Sequence, residues 1–277
     1  MPLTRRHFAA SAIAALASTA VIATPIEQAS SFERIRRTGR LRLGVVPGAS
    51  PYSVKDLATG DYRGFCVDLG RDLARHLRVE VTWVETRWGN AALDLQSDKI
   101  DAHLGLAPTP QRRQSIAFTD ALVDNVYTVV ARQGVNPRRW ADLDRPELTV
   151  AVDLGSSHDQ IAARLLTHAR VLRFESLTEA TLAVGSGRAD AQILAVLSAS
   201  VLLAKRPELG HLVVPTPLEA LPTCIGLRRQ EDPRLVIAVN EWIAEARAAG
   251  RVRSAIGANL RALAGVSLSD LPPQIRF

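Results

Sequence analysis

The chain has 277 residues, of which 22% are charged and 47% hydrophobic, a composition typical of a folded globular protein rather than a disordered one. The formal charge of +6 comes from arginines scattered along the sequence, without a basic block or interleaved aromatic residues, which argues against a nucleic-acid-binding surface. The six histidines show no ligand spacing with cysteines or acidic residues, so neither a metal centre nor another cofactor is expected.

The start of the chain has the features of an export signal. Residues 4–8 read Thr-Arg-Arg-His-Phe, a twin-arginine pattern, and an uncharged run of mostly small apolar residues follows over 9–23. That run is shorter than the ~20 residues that a membrane-spanning helix needs. We therefore expect residues 1–30 to be a twin-arginine signal peptide.

Hydrophobic periodicity predicts alternating helices and strands in the first part of the chain. They are a helix over 31–39, a strand over 41–46, a helix ending at Leu77, a strand over 79–84, a helix over 91–98 and a strand over 100–106. A loop over 47–51 and a polar turn over 55–60 are expected between the first strand and the second helix.

The later part of the chain continues the alternation. The predictions are extended runs over 123–132 and 223–228, strands over 148–152, 171–174 and 189–195, and helices over 155–168, 177–186, 233–249 and 251–263. An Asp-Ala pair accompanies a strand at 101–102 and again at 190–191, which suggests two similar α/β lobes. An open parallel sheet binds ligands beyond the carboxyl ends of its strands, so a cleft is expected there.

The stretch after the predicted strand over 100–106 carries the clearest functional signal. Thr109 is a good N-cap and Pro110 suits the first helical position, so a short helix is expected to begin there. Arg112 and Arg113 then lie beside free backbone N–H groups, an arrangement that can bind an anion. The alternative is an ordinary strand–loop–helix connection with two solvated arginines, because exposed arginine is common.

This stretch resembles the signature of the family 3 extracellular solute-binding proteins, the polar amino-acid receptors of bacterial ABC importers. The resemblance rests on Asp-Ala at 101–102, Thr-Pro-Gln-Arg at 109–112 and Phe-Thr-Asp at 118–120, with further family-like runs in order from about residue 34 to about residue 257. It implies a two-lobed α/β fold, the type II periplasmic-binding-protein fold, with a hinge of two crossings. The first lobe is expected over 31–126 and 219–277, and the second over 127–218.

The resemblance also implies a set of ligand-binding residues at the cleft between the lobes: Tyr52, Trp88, Gly105, Ala107, Arg112, Ser156, Ser157 and Ala195. Arg112 matches the arginine that holds the ligand carboxylate, and a fork-shaped donor suits that role. Ser156 and Ser157 match the helix start that closes on the same carboxylate, although plain N-capping is a compatible role. For Tyr52 and Trp88, a place in the core is the alternative to ligand contact.

Several positions depart from the pattern of relatives that bind amino acids. Ala195 stands where they carry an aspartate that pairs with the α-ammonium group. Val46 replaces a frequent acidic residue, Ala49 replaces a stacking aromatic residue, and Ala107 replaces a threonine. The anion half of the site is thus partly kept, whereas the half that binds ammonium is missing.

A buried ammonium group without a partner costs several kcal/mol, so the departures predict weak binding of ordinary α-amino acids. Asp153 or Asp124 could restore the missing charge from a new direction. The two cysteines, Cys66 and Cys224, could form a disulfide in an oxidising compartment. Two unpaired buried thiols are expected instead, because a core of this size needs no cross-link.

The function expected from these observations is capture of a small carboxylate-bearing metabolite, an amino acid or an amine-free analogue, in the periplasm for an ABC permease of the inner membrane. The protein is expected to act as a monomer, without nucleic acid, and not as an enzyme. A cyclohexadienyl-dehydratase-like enzyme is one alternative, with Asp153, His158 and Glu175 as its acid–base candidates and His158 expected as a solvated helix-start residue. A binding partner of a periplasmic enzyme is another.

Overall fold

The structure is a computed structural model, and it describes residues 29–275. The predicted twin-arginine pattern and the apolar run over 9–23 lie outside the described residues. Within 29–275, no helix combines the length and the apolar character that crossing a membrane requires.

The elements alternate along the chain as an α/β protein requires. The helices are α1 Ser31–Thr38, α2 Phe65–Leu77, α3 Ala91–Gln96, α4 Pro110–Ser115, α5 Ser157–Leu165, α6 Leu177–Gly185, α7 Val196–Lys205, α8 Arg234–Ala248 and α9 Arg251–Ala264. The strands are β1 Arg40–Val45, β2 Gly48–Ala49, β3 Ser53–Lys55, β4 Tyr62–Arg63, β5 Glu80–Glu85, β6 Ala102–Leu106, β7 Ile116–Phe118, β8 Val123–Ala131, β9 Thr149–Asp153, β10 Arg170–Phe174, β11 Ala191–Ala195, β12 His211–Val213 and β13 Ala220–Arg228.

The strands form two parallel units joined by an antiparallel pair. In the larger sheet the strand order is β10-β9-β11-β8-β13-β6-β1-β5. Strands β5, β1 and β6 are parallel to one another and belong to the first lobe, whereas β10, β9 and β11 are parallel and belong to the second lobe. The expected two-lobed α/β fold is therefore confirmed.

The two crossings between the lobes are β8 and β13. They pair antiparallel, with Ala220 opposite Val126 and Thr223 opposite Val123. Strand β8 continues into the second lobe, where it pairs with β11, and β13 continues into the first lobe, where it pairs with β6. The lobe limits at 126/127 and 218/219 stay predictions, and both fall at or beside this pair.

Each lobe contains an apolar cluster, and the cluster of the first lobe also includes residues of α7. In the first lobe, Leu43 and Phe65 are buried in one cluster with Trp242 of α8, whose indole N–H donates to Asp72 at 3.0 Å. In the second lobe, Trp140 and Ile193 belong to a separate cluster. Val196, Leu197 and Val201 of α7, which the prediction assigns to the second lobe, pack into the first-lobe cluster. The hinge geometry therefore follows from the two crossing strands, and α7 packs against both lobes.

Two features of the fold were not predicted. Helix α7 was missed because its residues are mostly apolar on all sides and its N-cap position, Ala195, offers no side-chain hydrogen bond. A small antiparallel sheet of β2, β3 and β4 was also not predicted; β2 lies within the expected loop over 47–51, and β3 and β4 flank the expected turn over 55–60. The cysteines follow the expectation, since both thiols are buried and unpaired, and burial raises the pKa of Cys224 to about 11.

Asp101 ties α1 and β1 to the start of β6. Its carboxylate is fully buried and accepts from the backbone N–H of Arg42 at 2.7 Å and from the guanidinium of Arg42 at 2.8 Å. Arg34 of α1 forms a second ion pair with the same carboxylate. Removing the charge of Asp101 would leave two half-buried guanidinium groups without their shared partner.

We expect Asp101→Asn to lower the free energy of unfolding by at least about 2 kcal/mol, since breaking a buried pair is strongly destabilising. The matched control is Asp98→Asn. Asp98 also contacts Arg42 at 2.8 Å, but its side chain is 37% exposed, so its loss should cost less than ~1 kcal/mol. Urea unfolding followed by circular dichroism measures both values. Equal effects of the two changes would contradict this role of Asp101.

Candidate ligand-binding site

The helix start at Thr109 forms as the sequence predicted. The Thr109 hydroxyl accepts from the backbone N–H of Arg112 at 3.4 Å, and Pro110 opens α4. This cap places Arg112 and Arg113 on different sides of a short helix. Arg112 is buried, whereas Arg113 is exposed, so the solvated alternative describes only Arg113.

The guanidinium group of Arg112 connects the two lobes. It donates to the backbone carbonyl of Ala107 at 3.2 Å and to that of Trp88 at 2.7 Å, both in the first lobe. A longer contact of 3.5 Å reaches the carbonyl of Gly155 in the second lobe. Burial lowers the pKa of Arg112 from its ordinary value, because the charged form has lost most of its water.

The structure brings all the predicted site residues together around one small space, the inner cavity. Its volume is ≈ 30 Å³, about the room that one water takes. The predicted residues that line it are Tyr52, Trp88, Gly105, Ala107, Arg112, Ser156, Ser157 and Ala195. Their contact with a ligand stays a prediction. The same wall contains His158, an acid–base candidate of the enzyme alternative, and four residues that the sequence analysis did not select, namely Asn125, Tyr127, Leu177 and Ser198.

A wider space, the outer cavity, adjoins the inner one and shares Trp88 and Leu177 with it. Its volume is ≈ 410 Å³, and it is lined from both lobes by residues 46–48, 85–88, 90, 99, 153–154 and 175–178. Val46, where relatives often carry an acidic residue, lies in this wall. A small metabolite fits the outer cavity as it stands, but it reaches Arg112 only if the lobes separate.

The lobes touch through backbone and through polar side chains at the cleft rim. Gly89 of the first lobe meets Gly155 of the second so closely that a Cβ on Gly155 would lie 2.9 Å from the Gly89 Cα atom. Gly155 also has a φ of +69°, a region that favours glycine. Arg87 pairs with Glu175 across the cleft, so the predicted acid–base candidate Glu175 is an exposed ion-pair partner.

His158 is not the solvated helix-start residue that we expected. It is buried, its Nδ1 lies 2.8 Å from Asp153 Oδ1, and its Nε2 accepts from the backbone N–H of Ala195 at 3.1 Å. The expectation was wrong because the ends of β9 and β11 are neighbours in the sheet, so α5 packs its first turn over both. The imidazole therefore occupies the space beside Ala195.

Asp153 and Asp124 were the candidates for a replacement charge. Burial alone would raise the pKa of Asp153, but the charge and hydrogen bonds of its neighbours, His158 foremost, hold that pKa below its ordinary value. Asp153 gives one carboxylate oxygen to His158, and its Oδ2 has no hydrogen-bond partner within 29–275. Asp124 is exposed and lines neither cavity.

The aromatic residues serve the core and the cavity wall together. Tyr52 is buried in the first-lobe cluster, and its ring lies 5.7 Å from that of Trp88 at an angle of 83°. Its hydroxyl accepts from the side-chain amide of Asn125 at 2.9 Å. Ala49, where relatives carry a stacking aromatic residue, is buried beside them in the core. Asn125 had a sequence signal, since it is a polar residue in an apolar crossing strand.

The described residues offer no group of three His, Cys, Asp or Glu side chains that could hold a metal ion. The inner cavity presents a guanidinium group, an imidazole, an amide and hydroxyl groups, and carboxylates of Glu85, Asp153 and Glu175 line the outer cavity. A guanidinium at a capped helix start and a second helix start at Ser156, whose hydroxyl accepts from the N–H of Asp159 at 3.1 Å, both favour an anion between the lobes.

Comparison with known proteins places the chain in a family. The profile of the bacterial extracellular solute-binding proteins, family 3, matches residues 41–256, and the chain belongs to that family. The lysine/arginine/ornithine-binding periplasmic protein of Escherichia coli is 29% identical over 231 residues, which cover 80% of this chain and 87% of that protein. The expected periplasmic location agrees with this relative.

Two further relatives connect the chain with a dehydratase. The cyclohexadienyl dehydratase of Pseudomonas aeruginosa is 26% identical over 258 residues, covering 91% of this chain and 94% of the relative. The crystal structure of an ancestral amino-acid-binding protein described as a precursor of cyclohexadienyl dehydratase superposes with a TM-score of 0.74 at 31% identity, covering 82% of this chain and 97% of that one. The fold and family thus include both binding proteins and an enzyme.

The glycine contact at the rim predicts how closure can be blocked. We expect Gly89→Ala to favour separated lobes, because its Cβ would lie 2.7 Å from the Leu154 carbonyl oxygen of the other lobe. The matched control is Gly48→Ala, whose Cβ would lie 3.4 Å from the Thr178 hydroxyl, an ordinary contact.

Small-angle X-ray scattering measures this effect through the radius of gyration. Gly89→Ala should increase it relative to the wild type and to Gly48→Ala. The free energy of unfolding should change by less than ~1 kcal/mol, because neither lobe's core is touched. An unchanged radius for Gly89→Ala would show that this contact does not limit closure.

Proposed function

We propose that this protein captures a small carboxylate-bearing metabolite between its lobes in the periplasm and delivers it to an ABC permease of the inner membrane. The observation that carries the proposal is Arg112, a buried cation whose hydrogen bonds go to backbone carbonyls of both lobes. A carboxylate matches a guanidinium in charge and in fork geometry, which a carbonyl oxygen does not.

Binding and closure are coupled in this proposal. The ligand enters with the lobes apart and places its carboxylate on Arg112 in the first lobe. The N-terminus of α5, at Ser156 and Ser157, then closes on the same anion from the second lobe. Contacts to both lobes bias the hinge toward the closed form, since a ligand shifts a two-state equilibrium by its difference in affinity for the two states.

The proposal further assigns a preference for ligands without an ammonium group. Ala195 supplies no charge, and its backbone N–H is already bonded to His158. Asp153 binds His158 through one oxygen and lines the outer cavity rather than the inner one, and Asp124 lines neither cavity. An ammonium group in the inner cavity would therefore lose its water without gaining a full partner.

The remaining predicted properties also belong to this proposal. We infer export by the twin-arginine route through residues 1–30, and a monomer in which 31–126 with 219–277 and 127–218 act as the moving lobes. The pair of β8 and β13 supports the placement of both lobe limits.

We expect amine-free carboxylates to raise the melting temperature of the mature protein and the matching α-amino acids to leave it nearly unchanged. A ligand at one hundred times its dissociation constant stabilises a protein by ~2.7 kcal/mol, a readable shift. Differential scanning fluorimetry against amino acids, their 2-oxo and 2-hydroxy analogues and cyclic carboxylates measures the effect. Stabilisation by the amino acids instead would contradict the amine-free preference, and silence across the panel would contradict carboxylate capture.

A second candidate function is a dehydratase acting on a cyclic carboxylate. The observation that favours it is the buried pair of His158, which lines the inner cavity, and Asp153, which lines the outer one, because an imidazole oriented by a carboxylate is a common general base. In this candidate, Arg112 would hold the substrate carboxylate. The Nε2 of His158 would have to leave the N–H of Ala195 before it could accept a proton.

If the protein is a dehydratase, the mature chain should convert a hydroxylated cyclohexadienyl acid into an aromatic product, and His158→Gln should reduce the rate by at least ~100-fold. The appearance of ultraviolet absorbance from the aromatic ring measures the reaction. Binding of the acid without any increase in absorbance would exclude this candidate and leave the receptor function in place.

A further inference from the structure

Asn125, which the sequence analysis did not select, has an unusual environment in the fold. Asn125 lies on the crossing strand β8, is 7% exposed and lines the inner cavity. Its amide nitrogen donates to the Tyr52 hydroxyl at 2.9 Å. Its carbonyl oxygen, Oδ1, has no hydrogen-bond partner among residues 29–275.

The hydrogen bond to Tyr52 occupies one end of the Asn125 amide. The Tyr52 hydroxyl is buried and accepts from the amide nitrogen of Asn125. Tyr52 belongs to the first-lobe cluster. The amide nitrogen faces the tyrosine, and Oδ1 is left for another donor.

A buried acceptor without a donor is unusual and costly. Most buried polar groups in proteins are hydrogen-bonded, and an unsatisfied one marks a missing partner or a functional site. Asn125 lines the inner cavity together with Arg112, so a ligand bound there would lie beside both side chains. The ligand that fits both groups carries an anion at one end and a hydrogen-bond donor at the other.

We propose that Asn125 is a specificity-determining residue that selects carboxylate ligands bearing a hydroxyl group. This inference rests on the proposed function, and it names the ligand class as hydroxy acids. A hydroxyl donates to Oδ1, whereas a keto oxygen would place one acceptor against another. A neutral amide oxygen adds no negative charge, so an ammonium group gains less there than it loses in leaving water.

Such a site distinguishes ligands by whether Oδ1 of Asn125 receives a hydrogen bond. A pocket built to hydrogen-bond a hydroxyl rejects the analogue that lacks it, because the buried protein group stays unsatisfied. The experiment therefore compares the hydroxy, oxo and deoxy forms of one carboxylate skeleton by isothermal titration calorimetry. We expect wild-type protein to bind the hydroxy acid about tenfold more tightly than the deoxy acid and to bind the oxo acid more weakly still.

Two variants at position 125 separate this role from a structural one. Asn125→Leu keeps the side-chain shape and removes the acceptor, so the preference for the hydroxy acid over the deoxy acid should fall to within about threefold. Asn125→Asp keeps an acceptor oxygen and should keep that preference. Both variants lose the hydrogen bond that Asn125 donates to Tyr52. A purely structural effect should therefore lower the affinity of both variants, and by the same factor for all three ligands.

The outcomes distinguish the inference from the function beneath it. Equal binding of the hydroxy, oxo and deoxy acids by wild-type protein would overturn the role of Asn125 and leave carboxylate capture intact. Tighter binding of the oxo acid than of the hydroxy acid would have the same two consequences. A hydroxy preference that survives unchanged in Asn125→Leu would also overturn it. Failure of every carboxylate to bind would overturn the proposed function and this inference with it. The wild-type comparison alone decides if the variants do not fold.

Discussion

The candidate site depends most on Arg112, a buried cation for which residues 29–275 provide no ion-pair partner. The hydrogen bonds of Arg112 go to the carbonyls of Ala107, Trp88 and Gly155, and these dipoles compensate a full charge only in part. Asp153, a buried carboxylate whose charge acts on Arg112, is hydrogen-bonded to His158 instead. A ligand carboxylate would give Arg112 an ion-pair partner. Because Arg112 also contacts Gly155 of the second lobe, binding of that carboxylate should depend on the distance between the lobes.

The fold places this cation through local rules and long-range pairing together. The cap at Thr109 sets the direction of a helix that is only six residues long, which turns Arg112 inward. The antiparallel pair of β8 and β13 brings the ends of the parallel strands of both lobes to face one cleft. Strand β8 also carries Asn125, so one strand contributes both to the hinge and to the wall of the inner cavity. Changes in closure are therefore expected to alter the site itself.

The sequence predicted what depends on short-range pattern. Thr109 and Pro110 marked the helix start, and resemblance to the family brought together a residue set whose members all line the inner cavity. The burial of His158 was not predictable, because it arises from the parallel pairing of β9 and β11, some forty residues apart in the chain. The sequence also could not predict the unpaired oxygen of Asn125, because it depends on where the fold places the Tyr52 hydroxyl.

The central claim is that Arg112 anchors the ligand carboxylate. Isothermal titration calorimetry of Arg112→Met beside Arg113→Met tests it most directly, because the two arginines are adjacent and only the first lines the cavity. With circular dichroism confirming that both variants are folded, the account predicts that Arg112→Met loses at least ~100-fold in affinity for the carboxylate that wild-type protein binds best. Arg113→Met should stay within about threefold of wild type. Comparable affinities for the two variants would contradict the account.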